Sequence, residues 1–523
     1  MATEQQFFTR KASGLIRTIS AGDALMFNIL LMGLNLPFTY AVYAAALYPG
    51  VNLVWSSTIA APLVFVIGLC WLYFTLAMPR AGGDFVWVSR SIHPSIGLVD
   101  SLPLVIAIGG GWTGGIGHAF QDPGIAGILA SFGRIDAIPF WTSQYVSYSI
   151  ALISVVVSLL VIAAGTKFTF RFGWISFIIV CIGCLTYPAI MLSAGHAAFI
   201  AKFQAVSGTT AQTLIQAAQA SGYNTGFTAW GITVGMVYMF LNYYGFAWSA
   251  YYAGEMKEFS KSNMIAILGS IVIFWFITTV QYWATYVVVG ADLFHAMSYL
   301  AINGNPAWTL PYWPNLTYLV TFATDNPVLG ATVGFSLFIE ALATYVTYWV
   351  MTTRVMFAWS FDRLLPTKFS EIDQRFHAPR NAILLTGVIA FVFITIGYWT
   401  QLLSFLTYGT MGVYMSCGIV GLAALLFPFR RKDIFEKAPS YVKARVAGIP
   451  IMAVFGLLTF VISEAVAVFT ALPAFTGAPL NPFYVSFMIS VYIFAFVYYW
   501  IVAWYNKSRG LDMSVAYREL PPL

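Results

Sequence analysis

Two apolar stretches of this 523-residue chain contain residues that interrupt a helix. Residues 33–37 read Gly-Leu-Asn-Leu-Pro, and residues 242–246 read Asn-Tyr-Tyr-Gly-Phe. A break leaves N–H groups with a positive dipole at the end of one half-helix and carbonyl groups at the end of the other. The N–H groups suit a carboxylate and the carbonyl groups suit an ammonium group. The two breaks together therefore predict a binding site for a zwitterion.

A third apolar stretch carries a line of polar side chains. Ser336, Glu340, Thr344 and Thr347 are spaced so that they share one face of a helix. A charged carboxylate inside a bilayer costs about 2.5–3.5 kcal/mol or more, and no Lys or Arg lies deep in an apolar stretch to offset it. We expect Glu340 to be protonated, hydrogen-bonded or facing a wet cavity. Glu464, in a later stretch, is expected to tie helices together.

The composition requires a membrane around these stretches. The chain is 60% hydrophobic and only 8% charged, whereas about 25% of the residues of a soluble protein are charged. The apolar runs have the length of about 20 residues that a helix needs to cross a bilayer. We predict about twelve membrane helices, numbered spans 1–12, at residues 20–48, 51–78, 98–120, 143–165, 172–195, 227–254, 263–290, 328–357, 381–400, 402–428, 450–472 and 482–505.

The two breaks fall in spans 1 and 6. Lipid cannot satisfy the backbone groups that a break exposes, so such breaks persist only where they line a cavity or bind something. Breaks at corresponding places in two halves of a chain indicate the central site of a secondary transporter. The chain has no Gly-x-x-x-x-Gly-Lys-Ser/Thr phosphate loop, so direct use of ATP is not expected.

The distribution of charge predicts orientation and partners. If the N-terminus is cytoplasmic, all of the 25 Lys and Arg residues except Arg134 and Lys202 lie on the cytoplasmic side. We therefore expect both termini in the cytoplasm and the protein in the lipid bilayer of the plasma membrane. No basic run with interleaved aromatic residues points to nucleic acid, and the scattered histidines predict neither a metal site nor a cofactor. The sequence does not indicate an oligomeric state.

One segment predicted to be external carries a possible modification site. Asn315-Leu316-Thr317 has the form of a glycosylation acceptor. Such tripeptides also arise by chance, so the sequence leaves its use open.

Several short motifs resemble those of the amino acid–polyamine–organocation (APC) family of permeases. In order, they are residues 78–85 (Met-Pro-Arg-Ala-Gly-Gly-Asp-Phe), residues 244–246 (Tyr-Gly-Phe) with 253–257 (Ala-Gly-Glu-Met-Lys), residues 354–358 (Arg-Val-Met-Phe-Ala) with 362–366 (Asp-Arg-Leu-Leu-Pro), residues 379–385 (Pro-Arg-Asn-Ala-Ile-Leu-Leu), and residues 407–410 (Thr-Tyr-Gly-Thr) with Tyr414. Phe85 stands where the family usually has a tyrosine. Each motif is short, and the resemblance depends on their shared order along residues 14–437.

This resemblance implies an all-α integral membrane protein with a five-plus-five inverted repeat, the LeuT/APC-type fold with broken helices 1 and 6. Spans 1–5 and 6–10 are then related by a pseudo-twofold axis in the membrane plane, and the two breaks meet. The implied organisation is a cytoplasmic N-terminal segment 1–19, a transport core 20–428, a cytoplasmic basic loop 429–449, spans 11 and 12 at 450–505, and a cytoplasmic tail 506–523.

The resemblance also implies which residues bind substrate. Residues Gly33, Leu34 and Asn35 take the substrate carboxylate; Tyr243, Tyr244, Gly245 and Phe246 supply carbonyl groups to its amine; and the rings of Tyr244, Phe246 and Trp248 gate or line the side-chain pocket. The alternative is that the glycines only allow helices to pack closely, as small residues do in membranes.

Two departures from the family bear on the coupling ion. Many members have a glutamate where this chain has Ala247, and span 5 lacks the lysine of some proton-coupled relatives. Glu340, Thr344 and Thr347 therefore become the candidates for ion coupling. In one interpretation Glu340 carries a proton and the threonines bond to their own helix. In the other, the threonine hydroxyls and carbonyls of span 1 hold Na⁺.

Together these features predict a secondary active transporter that moves amino acids across the cytoplasmic membrane by alternating access. Proton-coupled symport or amino acid exchange is the favoured mode, and sodium-coupled symport is the alternative. A non-transporting amino acid sensor is a further alternative, which the lack of a sizeable output domain disfavours. A membrane enzyme is not expected, because no nucleophile–base pair or metal cluster stands out.

Overall fold

A computed structural model describes residues 17–373, 378–400, 402–472, 482–514 and 518. Most of the predicted N-terminal segment, residues 1–16, and part of the predicted tail lie outside the described residues. The main helices are α1 (Ala21–Met32), α2 (Pro37–Leu47), α3 (Leu53–Ala77), α4 (Asp84–Ser91), α5 (Pro94–Ser131), α6 (Gln144–Ala163), α7 (Thr166–Ser207), α8 (Ala211–Ala220), α9 (Ala229–Tyr243), α10 (Phe259–Val289), α11 (Ala291–Ile302), α12 (Pro327–Phe361), α13 (Arg380–Trp399), α14 (Leu402–Arg430), α15 (Ile451–Ala471) and α16 (Pro482–Ser508).

Short turns and one hairpin complete the described structure. Short helical turns lie at Ile135–Ala137, Ile138–Trp141, Leu316–Leu319, Val320–Phe322, Thr367–Ser370 and Lys432–Phe435. The hairpin pairs β1 (Arg445–Val446) with β2 (Ile449–Pro450). Within the described residues the fold is thus almost entirely helical, and the prediction of an all-α membrane protein is confirmed.

Eleven helical segments of the described chain are long and apolar enough to cross a membrane. The twelfth predicted span, span 6, is missing from that set because α9 ends at Tyr243 and a 3₁₀ helix continues as Tyr244–Glu255. Span 1 lies at the centre, since 94% of its most apolar stretch is buried, compared with 22% for span 12. Spans 3 and 8 are longer than predicted because their helices continue past the apolar stretch. In span 5, Gly195 (φ 75°, ψ 170°) interrupts the helix at the predicted end, and a second helical stretch follows it to Ser207.

The first span breaks where the sequence predicts. Helix α1 begins with a capping box, in which Ser20 Oγ accepts the Asp23 N–H and Asp23 accepts the Ser20 N–H. It ends at Gly33, whose φ of 74° suits a residue without a Cβ atom. Pro37 then opens α2, a position where its missing N–H costs nothing.

The sixth span changes helix type at its break. Thr228 Oγ1 caps α9 by accepting the Gly231 N–H. The 3₁₀ helix that follows Tyr243 ends next to the start of span 1, where the Ile19 N–H donates to the Glu255 carbonyl at 3.1 Å. The Lys257 N–H returns a hydrogen bond to the Ile19 carbonyl at 2.9 Å. These bonds join the beginning of span 1 to the end of span 6.

Candidate functional site

The breaks of spans 1 and 6 are in direct contact, as the sequence predicts. Asn28, on α1, donates through Nδ2 to the Phe246 carbonyl at 2.7 Å and accepts the Ser249 N–H through Oδ1 at 2.9 Å. Gly245 lies so close to Met32 that a Cβ atom on it would be 2.5 Å from the Met32 nitrogen. A glycine is therefore required where the two broken spans touch.

Glu340 of span 8 lies against the break of span 1. Its Oε2 accepts the Asn35 N–H at 2.7 Å, and the amides of Leu34 and Leu36 on either side interact with the same carboxylate more weakly. Its second oxygen, Oε1, makes no hydrogen bond in the described structure. The side chain is completely buried. Of the three environments expected for Glu340, the structure selects a hydrogen-bonded one, with backbone amides as donors.

The threonines of span 8 bond to their own helix. Thr344 Oγ1 donates to the Glu340 carbonyl at 2.8 Å, and Thr347 Oγ1 donates to the Thr344 carbonyl at 2.8 Å. This is the arrangement of the interpretation in which Glu340 carries a proton. The Thr347 carbonyl in turn accepts the Trp248 Nε1–H at 3.0 Å, which ties span 6 to span 8.

The aromatic residues of span 6 divide into two groups. Tyr244 and Trp248 meet edge to face at 5.4 Å between ring centroids, and Phe246 lies 6.2 Å from Tyr244. Tyr243 instead packs on Phe274 of span 7 at 4.9 Å. Tyr244, Phe246 and Trp248 thus form a buried aromatic cluster, whereas the Tyr243 ring packs between helices.

The structure adds two residues that the sequence analysis missed. Asn28 bridges the two breaks, and Gln281 of span 7 donates through Nε2 to the Leu34 carbonyl at 3.0 Å. Both are uncharged polar residues inside apolar spans. Such residues hold membrane helices together through hydrogen bonds, and that rule was the signal that would have found them.

Asn315 is not accessible for glycosylation in the folded chain. Its side chain is completely buried, its Nδ2 donates to Thr39 Oγ1 at 2.9 Å, and its Oδ1 accepts the Thr317 N–H at 3.0 Å. Burial therefore argues against the use of Asn315 as an acceptor, which the sequence left open. The tripeptide instead begins the short helical turn Leu316–Leu319.

Two buried ion pairs lie near the C-terminal end of span 8, which contains Arg354. Arg354 binds Glu255, at the end of span 6, through two bonds of 3.1 and 3.2 Å. Asp362, directly after span 8, binds Arg90 of α4 through bonds of 2.5 and 2.9 Å. These pairs hold spans 6 and 8 and α4 together on that side.

A buried acid on the same side predicts a pH effect on stability. Burial raises the pKa of Asp84, at the start of α4, to about 7, although Tyr251 Oη donates to it at 2.9 Å. In an unfolded chain an aspartate has a pKa of about 3.9. Stability that depends on the protonated form is present at low pH and is lost as the pH rises toward 7. We expect Asp84→Asn to melt increasingly above the wild type between about pH 4 and pH 7.

Thermal unfolding in detergent at several pH values checks this expectation. Asp433→Asn is the control with the opposite sign, since the hydrogen bond from Arg431 lowers the pKa of Asp433. Because a lowered pKa places this titration below about pH 4, that variant should lose stability relative to the wild type as the pH rises to about 4 and then keep a constant difference up to about pH 7. A constant difference between Asp84→Asn and the wild type at all pH values would contradict the prediction.

An all-α membrane protein in which two broken helices meet in the core has the architecture of secondary transporters. The amino acid permease family matches residues 26–497, and the chain belongs to that family. Membership places the chain among transporters rather than enzymes.

Two relatives show how far the similarity extends. The chain is 27% identical to the glutamate/serine transporter AimA of Bacillus subtilis (strain 168) over 219 residues, which cover 40% of this chain and 37% of that protein. It is 23% identical to the branched-chain amino acid permease BcaP of Lactococcus lactis subsp. cremoris (strain MG1363) over 398 residues, which cover 72% of this chain and 77% of that protein. The match thus spans little more than a third of the first relative and about three quarters of the second.

Proposed function

We propose that this protein is a proton-coupled symporter of amino acids that works by alternating access in the cytoplasmic membrane. The observation that carries the proposal is the buried Glu340 carboxylate at the break of span 1, bonded to the Asn35 N–H at 2.7 Å. A carboxyl group at this place can bind and release a proton, and it does so next to the break of span 1, where the substrate binds. The termini lie on the cytoplasmic side, in keeping with the distribution of Lys and Arg.

Neutral amino acids are the proposed substrates. The site has a dipole for a carboxylate at the break of span 1, and aromatic rings of Tyr244, Phe246 and Trp248 around the break of span 6. Arg354, at the end of span 8, and Arg90 of α4 bind acidic side chains of the protein itself. Serine and branched-chain amino acids, named for the two relatives, are therefore the first candidates.

The position of Glu340 supports protons over sodium as the coupling ion. Glu340 lies beside the break of span 1, and its charge changes when it binds or releases a proton. Proton coupling needs only that carboxyl group, whereas a sodium site needs several oxygen ligands arranged around an ion.

Uptake into proteoliposomes tests the proposed function. The purified protein is reconstituted, a mixture of labelled amino acids is added outside, and either a proton gradient or a sodium gradient is imposed. We expect neutral amino acids to accumulate with an inward proton gradient, to leak out when a protonophore removes it, and to be unaffected when choline replaces sodium.

The other outcomes of that experiment are equally definite. Accumulation that follows sodium would move the coupling role to Thr344 and Thr347. Uptake only into vesicles preloaded with amino acid would establish an exchanger. Binding without any uptake would mean a sensor. Each of these results would overturn proton-coupled symport, and protein-free vesicles provide the baseline.

A further inference from the structure

The break of span 1 already holds a carboxylate, and it belongs to the protein. We use the name amide cradle for the N–H groups of Leu34, Asn35 and Leu36. These groups precede α2, an eleven-residue helix whose N-terminal dipole favours an anion. Glu340 Oε2 lies 2.7 Å from the Asn35 nitrogen, in the position of such an anion. Glu340 Oε1 is buried without a hydrogen-bond partner.

The surroundings of Glu340 hold it at the amide cradle without a counter-ion. Asn35 Nδ2 donates to Ser336 Oγ, one turn before Glu340, at 3.1 Å. Span 7 contributes Gln281, which donates to the Leu34 carbonyl. Among the residues that the structure describes, the hydrogen bond to this carboxylate comes from the Asn35 N–H of the amide cradle.

The titratable and charged groups around Glu340 leave its charge uncompensated. Span 5 contributes the thiols of Cys181 and Cys184. From span 3, which also packs on span 8, His118 and Asp122 bond to each other at 2.8 Å. Among the described residues, no ion pair joins Glu340 to a Lys, Arg or His. A proton that Glu340 gains or loses therefore changes the net charge at the amide cradle.

We propose that Glu340 is an internal competitor for the amide cradle, so that a substrate carboxylate binds there only when Glu340 is protonated and withdraws. This inference rests on the proposed function and specifies how its site is regulated. Two carboxylates cannot share one set of amide donors while both are charged, because like charges a few ångströms apart repel strongly in a buried site. A protonated Glu340 has lost the negative charge that the helix dipole attracts. A substrate carboxylate then takes the place of the Glu340 side chain at the amide cradle.

This competition sets the order of events in transport. A proton reaches Glu340 before or together with the amino acid, and the two bind with positive coupling. By reciprocity, the amino acid must favour proton binding by the same factor. When the substrate leaves, Glu340 loses its proton and returns to the amide cradle. The empty site is thereby closed by the protein's own carboxylate.

The test is a binding titration with three probes from about pH 5 to about pH 8. L-serine and L-leucine carry a carboxylate, and 3-methylbutylamine is leucine without it. All three keep their charges over this range. We expect the dissociation constants of the two amino acids for the wild type to rise by about tenfold per pH unit once Glu340 ionises. The constant for 3-methylbutylamine should show no such rise, because the amine does not need the amide cradle.

Two variants and a measurement of proton uptake test whether Glu340 causes the pH dependence of binding. In Glu340→Gln, which mimics the protonated acid, amino acid affinity should become independent of pH. Glu464→Gln is the matched control: it removes a carboxylate of another span, which rests against Gly418 of span 10, and should keep the wild-type slope. Proton uptake on amino acid binding, followed in weakly buffered wild-type protein near pH 8, needs no variant and should accompany L-leucine but not the amine.

The results that overturn the inference differ from those that overturn the proposed function. Amino acid binding that is independent of pH in the wild type, a slope retained in Glu340→Gln, or an equal slope for 3-methylbutylamine would each refute competition at the amide cradle. Failure of both amino acids to bind at any pH would instead refute the proposed function.

Discussion

Gly245→Ala is expected to abolish transport. The added Cβ atom would lie 2.5 Å from the Met32 nitrogen and 2.9 Å from its Cα atom, so the backbone of span 1 or span 6 must move. Overpacking of this kind costs about 1–3 kcal/mol, and 1.4 kcal/mol corresponds to about tenfold in an equilibrium constant. Because the shift occurs where Asn28 joins the two breaks, we expect uptake below about one-tenth of the wild-type rate.

Gly254→Ala is the matched control for this substitution. It lies in the same 3₁₀ helix, and its Cβ atom would be 3.5 Å from the Ala81 nitrogen, which is an ordinary contact. Uptake by proteoliposomes with equal amounts of inserted protein compares the two variants. Similar uptake by Gly245→Ala and Gly254→Ala would mean that the close approach of spans 1 and 6 is not essential.

Asp362→Asn is expected to be strongly destabilised. The substitution keeps the size of the side chain and removes the negative charge that faces Arg90, whose own side chain is completely buried. Breaking a buried ion pair by removing one partner costs about 3–5 kcal/mol, because the remaining buried charge loses the opposite charge that faced it. Unfolding in a detergent series, followed by tryptophan fluorescence, measures the loss of stability.

Two further variants distinguish the effect of the Arg90–Asp362 ion pair on stability from the effect of side-chain packing. In Asp433→Asn, the pair with Arg431 is broken at a place where the Asp433 side chain is 60% exposed, so the loss should be only about 0–1 kcal/mol. The double variant Arg90→Met with Asp362→Leu removes both charges and should recover most of the stability. A double variant as unstable as Asp362→Asn would show that packing, rather than the loss of the ion pair, is responsible.

Properties that depend on local backbone chemistry were predictable from the sequence. Gly33 and Pro37 break span 1 because one tolerates a positive φ and the other lacks an N–H group. The return of the Thr344 and Thr347 hydroxyls to their own helix is also a local effect, since both carbonyl partners lie within four residues.

Properties that depend on which faces of helices meet were not predictable in the same way. Tyr243 and Tyr244 are neighbours in sequence, yet Tyr243 packs on span 7 while Tyr244 meets Trp248. Consecutive residues on a helix point in directions about 100° apart, so only the position of the other helices decides which ring reaches the site. The roles of both residues in substrate binding stay predictions.

The sequence by itself determined that this is a membrane protein of many helices, with two broken spans and a carboxylate in a third. Composition and the length of the apolar runs determine that it is a membrane protein of many helices. Glycine, with its permissive backbone, and proline, with its restricted one, determine where a span breaks. Only the tertiary structure brought the Glu340 carboxylate to the Asn35 N–H, which lies 305 residues away in the sequence. Such a contact depends on the packing of spans 1, 5, 7 and 8 together, because no local pattern records which of several faces a buried side chain will meet.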